Sequence, residues 1–286
     1  MNHRNTPLTA GLYLVATPIG SARDITLRSL DILASCDLIV AEDTRTARKL
    51  LDIHGVPLNG RRMIAYHDHS GDNSVQGIVK LIAEGKSVAY VSEAGTPLVA
   101  DPGFELGREV IAQGLTVTAA PGASAVLAAL TVSGLPTDRF MFAGFLPAAR
   151  AQRQTEIAAL RDMPLTMIFY ESPKRIQEML EDLREILGGS RDVAVCRELT
   201  KKFEEVTRGT LDEVIDAYEG RSVKGELVVL VGRTGATDVE EMDVETALRQ
   251  AMETMRVKDA ATAVAGALGL TKRQVYQIAL GLSKED

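Results

Sequence analysis

Short apolar runs alternate with amphipathic segments through the first 120 residues of the chain. The runs predict buried strands at residues 12–16, 38–41, 63–66, 87–91 and 116–119. Between them, helices are predicted at residues 24–34, 75–83 and 104–113. A further helix follows residues 42–46, runs through Leu50 and stops near Gly55. Runs without polar alternation are typical of strands covered on both faces. Strands that alternate with helices indicate βαβ units. We therefore expect an α/β domain with a mostly parallel sheet.

The pattern starts again at Pro121-Gly122. A helix of small residues is predicted at 124–131, and strands at 140–145, 165–170, 192–196, 204–208 and 226–231. Further helices are predicted at 153–160, 173–187 and 211–218. The restart predicts a domain boundary, with one α/β domain at residues 1–120 and a second at 121–235.

In the last part of the chain, the apolar residues recur only with the spacing of a helix. A polar linker at residues 233–243 precedes it, and we assign residues 240–286 to a helical tail. Gly269 is a natural helix stop and Thr271 a natural N-cap, which divides the tail. One helical face is predicted to hold Val244, Ala247, Leu248, Ala251, Met252 and Met255. The tail should therefore contain three helices.

Composition narrows the class of protein. The chain has 286 residues, of which 45% are hydrophobic and 25% charged, a globular balance. Its net charge of -7 does not favour a polyanion partner, so any contact with nucleic acid must come from a local patch of positive charge. Trp is absent, which argues against a base-stacking surface. Two distant cysteines, with no apolar leader and no long apolar span, favour a soluble, cytoplasmic protein.

Two loops at predicted strand ends are rich in Pro and Gly, at residues 17–20 and 92–103. Ligands of open α/β sheets bind at the carboxyl ends of the strands. Neither loop matches a dinucleotide or P-loop motif, so a cofactor held without a phosphate cradle is indicated. Ordinary turn chemistry explains the first loop equally well. The helix start at Ser124 could bind an anion, although a simple cap by its hydroxyl is the preferred interpretation.

Three charged segments also follow strands, at residues 42–45, 170–175 and 197–202. Ordinary surface charge explains each one separately, whereas their shared position favours a substrate site. The segment His67-Asp68-His69 offers metal-binding side chains. Alternate residues of an extended chain point to opposite faces, and the sequence offers no third ligand at a suitable spacing. We therefore expect no metal.

Eight segments in this order resemble the tetrapyrrole methylase superfamily. They are LYLVATPIG, AEDTRTARKLL, SEAGTPLVADPG, PGASAVLAAL, FAGFLP, FYESPKRI, RELTKKFEE and GELVVLVG. The resemblance implies two α/β domains with S-adenosylmethionine in the cleft between them, and a homodimer. Tetrapyrrole-modifying relatives have a Gly-rich first loop and a Gly-Asp-Pro type second loop. This chain instead has Thr17-Pro18-Ile19-Gly20 in the first loop and Gly95-Thr96-Pro97 in the second, which favours the RNA-modifying branch.

That branch implies 2′-O-methylation of a cytidine ribose in 16S rRNA, either naked or in the assembled small ribosomal subunit. The tail resembles its helix-turn-helix extension. By position, the resemblance assigns to the cofactor Pro18, Gly95, Thr96, Pro97, Val99, Ser124 and Ala125. Asp101, Glu171 and Glu198 are the candidate bases, and Lys201 or Lys174 is the candidate cation that lowers the pKa of the hydroxyl. RNA contacts are expected at Lys174, Arg175, Lys201, Lys202, Lys272 and Arg273.

Three alternatives stay open. A methyltransferase of the same fold could act on a tetrapyrrole, and would then need a wide apolar cleft. A non-catalytic, cofactor-sensing protein could read nucleic acid with its tail. The tail itself could support packing or dimerisation rather than bind RNA. The charged segments at strand ends favour turnover.

Overall fold

The computed structural model describes residues 3–66, 72–233, 241–268 and 270–282. The first sheet contains β1 (Gly11–Val15), β2 (Leu38–Ala41), β3 (Arg62–Ala65), β4 (Ser87–Val91) and β5 (Val117–Ala120). Its helices are α1 (Leu27–Ser35), α2 (Thr44–Ile53), α3 (Asp72–Ala83) and α4 (Phe104–Ala112). The strand order is β3-β2-β4-β1-β5 and every pair is parallel, as the sequence predicts.

The first sheet is covered on both faces, which explains its unbroken apolar strands. Tyr13 and Val15 face one apolar cluster, whereas Leu12 and Val40 face the other. The chain leaves the adjacent strands β1 and β4 in opposite directions, towards β2 and β5. Such a switch point opens a crevice at the carboxyl ends of the two strands. The loops at residues 17–20 and 92–103 therefore begin at this crevice.

The second sheet contains β6 (Phe140–Phe145), β7 (Thr166–Glu171), β8 (Asp192–Arg197), β9 (Glu205–Thr210) and β10 (Leu227–Val231). Its helices are α5 (Ala125–Ser133), α6 (Arg150–Leu160), α7 (Ile176–Leu187) and α8 (Leu211–Tyr218). The strand order is β6-β7-β10-β8-β9, and only the pair β6–β7 is parallel. One face packs on α5 and the other on α6, α7 and α8.

The tail forms α9 (Glu241–Met252), α10 (Val257–Leu268) and α11 (Lys272–Leu282), as the periodicity predicts. These helices share a separate apolar core that includes Leu248, Val264 and Val275. Met255 was assigned to the buried face but lies beyond the end of α9 and is 48% exposed, so that assignment is wrong. No described helix has the length and apolar character that a membrane span requires.

Candidate functional site

A cleft of about 650 Å³ lies between the two sheets. The first sheet contributes the loops after β1 and β4, together with Glu42 at the end of β2. The second domain contributes the ends of β6 and β7, the start of β10 and Lys201. This volume is within the range of small-molecule sites, which are commonly found between domains and at switch points.

The two Pro- and Gly-containing loops of the first domain are joined by backbone hydrogen bonds. Thr17 donates its N–H to the Gly95 carbonyl at 2.9 Å, and Gly95 donates to the Thr17 carbonyl at 3.0 Å. Gly95 has a φ of +85°, a region that residues with a Cβ rarely occupy. The Thr96 hydroxyl donates to the Ala123 carbonyl at 3.0 Å. The loops are thus fixed as one surface that faces the cleft.

Backbone strain is concentrated around the cleft. Five non-glycine residues among those described have a positive φ. Leu98 and Ala100, at +69° and +59°, lie on the loop after β4. Glu198 and Thr200, at +50° and +63°, lie on the loop after β8. Such conformations cost about 1–3 kcal/mol each and are concentrated at functional sites. Both strained loops lie beside the cleft, one on each domain.

The domains touch at one end of the cleft. Ser21 donates its backbone N–H to the Thr200 hydroxyl at 3.1 Å. A side chain at Gly20 would collide with Thr200 and Lys201, so glycine permits this close approach. Ile19 packs into the apolar cluster between α5 and the second sheet. The first loop therefore anchors one domain to the other beside Lys201.

Helix α5 begins at the cleft. Ser124 is its N-cap residue, but the hydroxyl makes no capping hydrogen bond, so the preferred interpretation of this serine as a simple cap is wrong. The N–H groups of a first helical turn have no partner within the helix. Because Ser124 and Ala125 line the cleft, this end of α5 can receive an anionic group such as a carboxylate.

Three acids of the first domain line the cleft, namely Glu42, Glu93 and Asp101. Glu42 accepts a hydrogen bond from the Glu93 N–H at 3.1 Å. None of the three forms a salt bridge with a described side chain. Burial, together with the nearby charges of Glu42 and Glu93, raises the pKa of Asp101 to about 6. The pKa of this carboxyl therefore lies close to neutral pH, in the range that suits a general base.

The acids of the second domain are paired. The Glu171 side chain is fully buried, receives the Ser172 N–H at 2.7 Å and pairs with Arg175 at 3.0 Å. Arg175 also donates to the Leu146 carbonyl at 2.7 Å. These contacts hold the loop after β7 together. Glu171 therefore stabilises this wall of the cleft, and the Arg175 side chain is held in the same network of hydrogen bonds.

Lys201 stands between two carboxylates of the second domain. Its Nζ lies 2.9 Å from Glu198 Oε1 and 3.0 Å from Glu226 Oε2. Burial lowers the pKa of Lys201, but the hydrogen bonds to Glu198 and Glu226 outweigh it and leave the pKa raised. The hydrogen bond from Lys201 lowers the pKa of Glu198. Lys201 is thus a charged ammonium with one N–H not used by these two acids.

The structure brings most of the predicted site residues together. Those on the cleft wall are Pro18, Gly95, Thr96, Val99, Ser124, Ala125, Asp101, Glu171 and Lys201. Pro97 was assigned to the cofactor, but it is buried and is not among the residues that line the cleft. Glu198 does not line the cleft but lies directly behind the wall, where it pairs with Lys201 and accepts the Glu226 N–H.

The predicted RNA contacts other than Lys201 lie outside the wall. Lys174, Lys202, Lys272 and Arg273 are exposed, whereas Arg175 is bound to Glu171 and two carbonyls. The segment 42–45 does reach the cleft, through Glu42. The wall also includes Thr46, Phe145 and Glu226, which lie outside the Pro- and Gly-rich loops and charged segments that the sequence singled out. Ile19, Glu93 and Tyr170 lie within those segments but were given no individual role. The strand-end rule could have found Phe145, since it closes an apolar strand.

No group of three His, Cys, Asp or Glu side chains in the described part of the chain could hold a metal ion. The segment His67-Asp68-His69 lies outside the described residues.

The two sheets and the cleft between them define the class of protein. The family model of tetrapyrrole (corrin/porphyrin) methylases matches residues 11–215, and the chain belongs to this family. A second model, the RsmI C-terminal HTH domain, matches residues 238–283. Among solved structures, diphthine synthase is similar, with a TM-score of 0.60 and 15% identity over 78% of this chain and 90% of that one.

Curated relatives are more similar to this chain in sequence than that solved structure is. Ribosomal RNA small subunit methyltransferase I of Mesorhizobium japonicum is 47% identical over 96% of this chain and 93% of its own length. The protein of the same name from Xylella fastidiosa is 46% identical over 82% of this chain and 84% of its own length.

Proposed function

We propose that this protein is a methyltransferase that moves the methyl group of S-adenosylmethionine to ribosomal RNA of the small subunit. The acceptor that we propose is the 2′-oxygen of a cytidine ribose in 16S rRNA. One observation carries the proposal: a curated relative named for this RNA is 47% identical over 96% of the chain. The similarity includes the tail, which the RsmI C-terminal model matches.

The cleft suits S-adenosylmethionine in charge and shape. Glu42, Glu93 and Asp101 complement a positively charged sulfonium. The uncapped start of α5 complements its carboxylate. The residues that would hold the donor are Pro18, Gly95, Thr96, Val99, Ser124 and Ala125. When bound, this donor supplies an electrophilic methyl group. The neutral thioether that leaves needs no metal, so most of the rate must come from positioning.

Asp101 is the base of the proposed reaction. It lines the cleft and forms no ion pair with a described side chain. With its pKa raised to about 6, it is ionised at neutral pH and accepts a proton better than an ordinary carboxylate. Asp101 would accept the proton of the 2′-hydroxyl, which would make that oxygen nucleophilic towards the methyl group, and the donor would release this group by breaking its bond to sulfur.

Lys201 stabilises the charge that grows on the same oxygen. Glu198 and Glu226 hold the ammonium at the wall and leave an N–H for the substrate. A fixed cation in a partly buried site stabilises a developing alkoxide more than water does. Glu198 acts through Lys201 and is therefore a positioning residue.

We extend the proposal to the organisation of the chain. Residues 1–120 and 121–235 form the two domains of the enzyme and residues 240–286 its RNA-binding tail, in the cytoplasm. Lys174, Lys202, Lys272 and Arg273 are exposed, which supports contact with phosphates. Deletion of residues 234–286 should weaken RNA binding and spare donor binding. Unchanged RNA affinity would favour a packing role for the tail.

The enzyme is proposed to act as a homodimer. Helix α5 exposes Leu127 and Val132, and edge strand β6 exposes Phe140 and Phe145. Phe145 also lines the cleft, so a second copy against this edge would border the site. Sedimentation of the full chain tests the dimer, and a monomer at micromolar concentration would contradict it.

The tetrapyrrole alternative is disfavoured because the curated relatives at 47% and 46% identity are named for ribosomal RNA. Three steps test the function. Calorimetry measures donor binding. Labelled donor is then incubated with small subunits or with purified rRNA. Mass spectrometry of the nucleosides separates ribose from base methylation. Donor and RNA binding without any product would support the non-catalytic alternative and overturn ours.

A further inference from the structure

Helix α2 exposes a basic stripe. Arg45, Arg48 and Lys49 are exposed, whereas Ala47 and Leu51 are buried. The three cations follow the i, i+3, i+4 spacing and lie on one side of the helix. They extend about 6 Å along the helix axis, at about 1.5 Å per residue. A short row of positive charge thus faces solvent in a protein whose net charge is -7.

These cations are weakly committed to other side chains. Arg48 and Lys49 form no ion pair with any side chain in the described ranges. Arg45 pairs with Asp43 at 2.8 Å, yet its side chain remains 90% exposed. Local concentration of unpaired cations on an acidic protein is a mark of polyanion binding.

The stripe lies beside the cleft. Thr46, on the first turn of α2, is part of the cleft wall. At the other end of the helix, His54 Nε2 lies 2.8 Å from the Ala22 carbonyl. This contact brings the loop with the exposed Arg23 against α2. We call Arg23, Arg45, Arg48 and Lys49 the basic ridge. Its Arg45 end lies beside the cleft, because Arg45 lines a hollow together with the cleft residues Glu42 and Glu93.

The opposite rim continues the positive surface. Ser21, two residues before Arg23, touches Thr200. Lys202, two residues after Thr200, is exposed. A strand that entered the cleft at this end would therefore meet cations on both domains.

We propose that the basic ridge binds the phosphates that flank the methylated nucleotide on the RNA strand. This inference rests on the proposed function and deepens it. An extended polyanion must cross the rim to place one ribose in the cleft, and the ridge supplies the complementary charge there. Arg and Lys contacts to phosphate set register and affinity but carry no sequence information. The ridge thus positions the strand, and the cleft selects the reacting oxygen.

The double variant Arg48→Gln/Lys49→Gln tests the ridge. Gln matches Lys and Arg in helix propensity, so α2 should remain folded. The matched control is Lys80→Gln/Lys86→Gln, two exposed cations of the same domain that do not line the cleft. The probe is a small-subunit rRNA fragment, with its dissociation constant measured from about 50 to 200 mM salt.

The ridge variant should bind this fragment about tenfold more weakly. The magnitude of the slope of log affinity against log salt should fall by about 1.8 if the contacted RNA is duplex, or by about 1.4 if it is single-stranded. Calorimetric affinity for S-adenosylmethionine should not change. Equal affinities and slopes for ridge and control variants would overturn the inference. If wild type binds with a ridge-dependent slope but transfers no methyl group, the ridge stands and the proposed function fails.

Discussion

The acids on the two walls of the cleft differ in whether they form ion pairs with cations. On the first domain, Glu42, Glu93 and Asp101 form no salt bridge with a described side chain. On the second domain, Glu171 pairs with Arg175, and Glu226 pairs with Lys201. Burial and the charges of Glu42 and Glu93 raise the pKa of Asp101 to about 6, so this carboxyl can exchange a proton near neutral pH. Glu171 is instead buried beside Arg175, where the pair stabilises the loop after β7. The comparison assigns proton transfer to the first-domain wall, and a structural role to most of the acids on the second-domain wall.

Replacing the unpaired acid should have the largest effect. Asp101→Asn keeps the shape of the side chain and removes the base, so single-turnover methyl transfer to rRNA should fall about 10²–10⁴-fold. Donor affinity, measured by calorimetry, should stay within a few-fold. Glu93→Gln, on the same wall, is the control and should lower the rate only a few-fold. A normal rate in Asp101→Asn would remove the proposed distinction between the walls.

The cation of the second wall comes next. Lys201→Met should lower the single-turnover rate about 10²-fold at saturating RNA, because the developing alkoxide loses its stabilising charge. The exposed Lys224 is on the same domain and does not line the cleft, so Lys224→Met is the control. If both variants react at the wild-type rate, Lys201 belongs with the architectural residues.

A pH profile sharpens the assignment of the base. Asp101 must be ionised to accept a proton, and its pKa is raised from 3.8 to about 6. The single-turnover rate should therefore fall about tenfold per pH unit below pH 6 and level off above it. Asp101→Asn should lose this limb. A limb in the wild type near pH 4 would indicate a carboxylate with an ordinary pKa.

The smallest effect on rate is expected for a paired acid. Glu171→Gln should leave methyl transfer within a few-fold of wild type, because Glu171 is buried with Arg175. The same change leaves Arg175 without its counter-charge and should lower the free energy of unfolding by about 1–3 kcal/mol, measured by urea denaturation. A rate loss as large as that of Asp101→Asn would contradict the comparison.

Much of the fold could be predicted from the sequence, for a physical reason. Continuous apolar strands alternate with amphipathic helices, and parallel packing between helices requires that pattern. The direction of strands in the second sheet could not be predicted, since an isolated apolar run such as residues 227–231 is equally consistent with either orientation. The core of the tail was predicted because its helical periodicity is local.

The site was predictable as a set of loops but not as a set of roles. Asp101, Glu171 and Glu198 are equivalent candidates in sequence, and only tertiary partners separate them. The commitment of Arg175 to carbonyls of a distant segment is likewise set by folding. Pro97 shares a motif with wall residues but is buried and does not line the cleft.

The left-handed residues near the cleft have a consequence for protein engineering. Ala100 occupies a backbone conformation that glycine adopts without penalty, and its side chain makes no hydrogen bond that glycine would remove. A search for thermostable variants would therefore tend to select glycine at this position. Such a gain would also soften the rigid rim on which reactant alignment depends, so heat tolerance and turnover should move in opposite directions here.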